Sequence, residues 1–122
     1  MPTRRDLRRQ GETMRARLFG GTVKTSAHPD FDQLMIETTY GAIWSRPGLP
    51  LATKSLAMIA MMAAAGKQAE LRVHLKGALE NGCTPEQIRE ILLLVALYCG
   101  IPSANEAHKA AVDVLREEDA AK

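Results

Sequence analysis

Apolar residues recur along this chain at helical spacing, and no stretch alternates apolar and polar residues over the length of a strand. The pattern predicts an all-α fold of about six helices. A first amphipathic segment runs from about Thr3 to Phe19, with Leu7, Met14 and Leu18 set among arginines, and stops at Gly20-Gly21. Asp30 followed by Gln33 resembles a capping box and opens a second helix, which reaches about Trp44 before Pro47 ends it. Ser45 to Pro50, SRPGLP, is then a rigid loop. A third helix from about Leu51 ends at Gly66 and a fourth from about Gln68 ends at Gly82, each glycine suiting the left-handed closing position. These two are expected to form a helical hairpin. Thr84, Pro85 and Gln87 make a strong start for the fifth helix, which runs through ILLLVALYC to Gly100. After Pro102, Ser103 and Glu106 repeat the capping box and open a last helix ending near Glu117.

Two stretches, Leu56 to Ala65 and Ile91 to Cys99, are apolar on every face, which a surface helix of a small monomer does not tolerate. Part of that surface is expected to meet another subunit. Length fits one domain over 1–122, and 46% hydrophobic with 25% charged residues is a globular balance. A net charge of +2 points to no nucleic acid, and the longest apolar run falls short of the roughly 20 residues of a membrane span. The arginine-rich start, with no apolar segment behind it, does not resemble a secretory signal, so a cytoplasmic location is expected. Cys83 and Cys99 form no C-x-x-C pair and have no histidine at zinc-ligand spacing, which favours free structural thiols over a disulfide or metal site.

IWSRPGLP, then AELRVHLKGALENGCTPEQIREILL, then YCGIPSANEA, in this order and spacing, resemble the carboxymuconolactone decarboxylase family, which also holds the alkylhydroperoxidase D proteins. The similarity covers roughly Leu7 to Leu115. It implies an all-helical subunit assembled into trimers or hexamers, with active sites near subunit contacts. The peroxidase branch carries C-x-x-C-x-x-x-H; matching its histidine to His74 puts Lys67 and Glu70 where its cysteines belong, so the dithiol that reduces a peroxide is missing. The decarboxylase branch fits better.

That branch implies loss of CO2 from an sp3 lactone carbon conjugated through an alkene to the lactone carbonyl. Electrons left behind flow onto the carbonyl, so the substrate is its own electron sink, and neither metal nor organic cofactor is required. The protein supplies a donor at the carbonyl oxygen, a proton source and a cationic anchor for the remaining carboxylate. His74 is the candidate proton donor or carbonyl polariser, since an ordinary pKa of ~6.5 lets it exchange a proton near neutrality. Glu70, one turn earlier, is its candidate partner, fixing the tautomer and raising that pKa, or else an ordinary surface pair. Arg46 in the SRPGLP loop and Arg72 are candidate carboxylate clamps, a guanidinium fork matching a carboxylate, or else solvated. Trp44 is a candidate pocket wall or a large core residue, and Tyr98 a candidate ligand contact or a structural hydroxyl. His28 and His108 read as surface or packing residues.

The chain departs from the pattern the resemblance implies. Ala42 stands where the decarboxylases tend to carry an acid, Leu94 where a His or Gln is frequent, and Lys109 where a histidine is common. Three functions stay open: a carboxy-lyase acting on 4-carboxymuconolactone or a related acid, the same scaffold recruited to another cofactor-free reaction such as an isomerisation or retro-aldol step, and a non-catalytic small-molecule binder.

Overall fold

A computed structural model describes residues 1–19 and 28–121, all-α, with no strand among the described residues. The chain falls into two compact units, Met1–Leu51 and Ala52–Lys122. The expected stop of the first helix at Gly20-Gly21 lies outside the described residues.

The first unit holds α1 (Arg4–Phe19), α2 (Pro29–Leu34) and a π-helix, Met35–Trp44, that continues α2 directly. Thr3 opens α1: its hydroxyl accepts from the Asp6 N–H at 3.1 Å while its own N–H donates to the Asp6 carboxylate at 2.9 Å, a reciprocal cap that the sequence reading missed. α2 begins one residue before the expected Asp30 box. His28 is the cap, its Nδ1 accepting from the Asp30 N–H at 3.2 Å, because Pro29 has no N–H to satisfy and fits the first helical position.

The expected α-helix to Trp44 is thus α-helical only to Leu34. Four of the six arginines of α1 have acidic partners: Arg8 and Arg9 pair within the helix with Glu12 and Asp6, and Arg4 and Arg15 reach Glu37 and Asp32 at 3.2 and 3.1 Å. The basic stripe is therefore largely neutralised within its own unit. Glu37 is buried; the Gln33 amide first and the Arg4 guanidinium next hold its carboxyl below the ordinary carboxylate range.

The second unit holds α3 (Leu51–Ala65, from its second residue), α4 (Gln68–Glu80), α5 (Pro85–Cys99) and α6 (Ile101–Ala120). α3 and α4 close on Gly66 and Gly82, both at positive φ. In each, the glycine N–H and the next N–H reach back to the last turn, Gly66 to Ala63 and Lys67 to Met62, Gly82 to Leu79 and Cys83 to Ala78, which is the Schellman arrangement. Thr84 and Gln87 form the expected capping box of α5, with Pro85 in its first turn. Thr84→Ala is expected to destabilise the fold by about 1 kcal/mol, read as a lower urea midpoint at unchanged slope.

Ser103 does not cap α6. That helix starts at Ile101 directly after Gly100, because Pro102 sits in its first turn instead of preceding it.

The core of this unit is aliphatic: Ile59 and Ala63 from α3, Leu71, Leu75 and Ala78 from α4, Ile88, Leu92 and Val95 from α5, and Ala107, Ala111 and Val114 from α6. Each helix contributes residues three, four or seven apart, a single stripe. α5 therefore buries one face only, and Leu93, Leu94, Leu97 and Tyr98 stand exposed on the rest. Cys83 is buried with its S–H donating to the Ala52 carbonyl at 3.3 Å, and burial pushes its thiol pKa up. That is a structural thiol, whereas Cys99 is exposed.

Candidate active site

α4 carries His74 on the stripe that faces the core. Leu71, His74, Leu75 and Ala78 are all buried, and the imidazole is only 5% exposed among aliphatic neighbours. Glu70 lies one turn earlier with its side chain mostly in solvent, its Oε2 at 3.9 Å from His74 Nε2. At that distance the carboxylate acts on the ring mainly through its field. Burial lowers the imidazole pKa below its ordinary value, and the opposing pull of Glu70 is the smaller effect. Glu70 does raise this pKa, as expected, but a carboxylate in water is screened while the loss of hydration falls wholly on the ring, so the net shift is downward. His74 is a neutral imidazole at pH 7, one nitrogen donating and the other accepting.

Arg72 lies about 200° around α4 from His74 and donates to Asp113 of α6 at 2.9 Å. The fork assigned to a substrate carboxylate meets a carboxylate of the protein. Tyr98 is 82% exposed on α5. In the other unit, Trp44 closes the π-helix as a buried residue, and Arg46 follows in an exposed turn. The Ser45 hydroxyl donates to the Tyr40 carbonyl at 2.8 Å, five residues back, capping the π-helix just before the loop.

His108 reads from the sequence as a surface or packing residue, and the structure ties its ring to its own helix. Its Nδ1 lies 2.8 Å from the Ala104 carbonyl. It lines a polar groove of about 610 Å³ between α4 and α6 with Gln68, Arg72 and Lys109, and an apolar groove of about 590 Å³ between α5 and α6 with Leu93 and Val112. Nothing in the linear sequence distinguishes it from a packing histidine, because its carbonyl partner is a backbone atom. Among the described residues no cluster of three or more His, Cys, Asp or Glu can hold a metal ion. No helix among them is long and apolar enough to cross a membrane.

The model of the carboxymuconolactone decarboxylase family matches residues 29–113, and the chain belongs to that family. It is similar to 4-carboxymuconolactone decarboxylase of Acinetobacter baylyi, 40% identical over 88 residues that cover 72% of this chain and 66% of that protein. It is also similar to nitrosuccinic acid decarboxylase npaB of Metarhizium robertsii, 40% identical over 75 residues, 62% of this chain and 52% of that protein. The chain thus spans between half and two thirds of the length of these relatives.

Proposed function

We propose that this protein is a cofactor-free carboxy-lyase acting on 4-carboxymuconolactone or a closely related acid. The observation that carries the reading is His74, a neutral imidazole buried in α4 beside Glu70, in a chain of the decarboxylase family. The C–CO2 bond of the lactone breaks and its electron pair passes through the alkene to the carbonyl oxygen. A neutral imidazole N–H donates a hydrogen bond to that oxygen as it becomes negative, without first giving up its proton. The imidazole N–H then gives its proton to the ring carbon, which completes the enol-lactone, and solvent returns a proton to the imidazole. Trp44 and Arg46 are the residues proposed to recognise the acid, an indole and a guanidinium two residues apart within their own unit.

A different activated acid is the second reading, favoured by the equal identity to a relative named for nitrosuccinic acid. There a nitro group replaces the conjugated carbonyl as electron sink. Purified chain is given 4-carboxymuconolactone and nitrosuccinate in parallel and CO2 release is followed. Turnover of the lactone supports the first reading, turnover of the nitro acid alone selects the second, and release from neither by folded protein overturns both.

The same reading treats 1–122 as one domain of a cytoplasmic homo-oligomer, a trimer or hexamer, supported by the apolar face of α5. Light scattering on the eluting protein is expected to give three or six times the 13.3 kDa chain mass.

A further inference from the structure

Three pairs of residues set α1 antiparallel to the α2 and π-helix segment. Leu7 meets Gly41, Gly11 meets Ile36, and Arg15 meets Asp32. The first two are backbone on backbone: a Cβ on Gly41 would lie 2.2 Å from the Leu7 carbonyl oxygen, and one on Gly11 would lie 1.9 Å from that of Ile36. Along α1 the contacts step by four residues each time, an advance of about 6 Å on one face. Along the opposite strand of contacts the step is four from Asp32 to Ile36, and five from Ile36 to Gly41. The five-residue step falls where the chain is π-helical. In an α-helix, residues five apart are turned about 140° from one another and advance about 7.5 Å, so Ile36 and Gly41 could not both face α1. Hydrogen bonds of the i→i+5 kind bring them nearly in line.

We infer that Gly11 and Gly41 are positioning residues: the close backbone contacts they permit hold residues 35–44 in the π register, and that register sets where Trp44 and Arg46 stand to receive an acid. An α-helix turns about 100° per residue and a π-helix less, so relaxation to α-helix would accumulate over the whole element and carry Trp44 off the buried face. Ile36, Tyr40 and Trp44 are the large apolar side chains this element buries. Arg4 to Glu37 adds an ionic tie of 3.2 Å at the same element. α1 itself lies outside the family match at 29–113, so one side of the clamp is built from sequence that the match does not include. The last step rests on the recognition role proposed for Trp44 and Arg46; the clamp does not.

Trp44 is the single tryptophan, so its emission reports this position alone. The full chain is compared with Gly41→Ala and with the milder Arg4→Gln by backbone NMR, tryptophan fluorescence and kinetics. Wild type is expected to show Hα(i) to HN(i+5) contacts across 35–44. Gly41→Ala should replace them with the i+3 pattern, redden Trp44 emission, and raise KM for the acid by up to about 10²-fold with a smaller change in kcat. Arg4→Gln should move the same readouts less far. An α-helical pattern in wild type, or an unchanged π pattern in Gly41→Ala, overturns the clamp. If Gly41→Ala does not fold, an unchanged pattern in Arg4→Gln overturns it. A changed register with unchanged KM overturns the substrate step. A changed register in Gly41→Ala, beside a wild type that turns over no acid, removes the proposed reaction and leaves the clamp standing.

Discussion

His74→Gln is expected to lower turnover of the acid by about 10²- to 10⁴-fold, the span associated with loss of a positioned proton-transfer or hydrogen-bonding group. Glutamine keeps a donor at the reach of Nε2 but is neither acid nor base near neutrality, so the loss reports proton transfer more than packing or hydrogen bonding. The pH dependence follows from the burial of the ring. Its pKa is lowered, so the neutral form is fully present at neutrality, and kcat/KM is expected to be level there and to fall on acidification. A rate that rises as the pH drops below about 6.5 would identify the imidazolium as the working form and overturn the neutral-donor role.

The same shift has a stability consequence of definite sign. A histidine whose folded pKa lies below its unfolded value binds fewer protons when folded, so stability is complete above the unfolded pKa, about 6.5, and declines as the pH falls through it. His74→Gln should flatten that decline, seen in urea midpoints taken at descending pH. Glu37 acts lower on the scale: its depressed carboxyl contributes stability above the ordinary carboxylate pKa, which is lost as the pH falls through its own.

The helices legible in the sequence were those with punctuation on the chain itself. Thr84-Pro85-Glu86-Gln87 and the glycines at 66 and 82 mark boundaries by local chemistry, and the structure keeps them. Pro29 and Pro102 misled for a local reason: each is a first-turn residue, and reading it as a flank moved the cap to Asp30 or Ser103. The π-helix was not legible, because its register answers to α1 across the unit and not to neighbours along the chain. His74 and Glu70 were legible through their i,i+4 spacing on a helix. The direction of the pKa shift was not, because it depends on which face of α4 is buried, and spacing alone gives the field of Glu70 without the desolvation that outweighs it. That His108 borders two grooves was not legible either, because only the fold displays them.

Gly11→Ala reverses the usual sign of a glycine replacement in a helix. On an exposed helical face the change stabilises by up to about 1 kcal/mol, since alanine restricts the unfolded chain and prefers the helix. At position 11 the new methyl would stand 1.9 Å from the Ile36 carbonyl oxygen and 2.8 Å from its carbon. Neither atom belongs to a flexible side chain, so relief requires α1 and the π-helix to separate along their length. Separation opens the packing that Leu18 and Ile36 complete and stretches the Arg15 to Asp32 pair, whose side chains are 8% and 14% exposed. Overpacking costs about 1–3 kcal/mol where neighbours can give, and here the neighbour is backbone. A net loss of about 3 kcal/mol is therefore expected, the clash outweighing alanine's helical preference. Denaturant unfolding checks it, and Gln10→Ala, one residue earlier on an exposed position of the same helix, provides the control. A Gly11→Ala protein as stable as wild type would mean that the two helix backbones do not meet at this point.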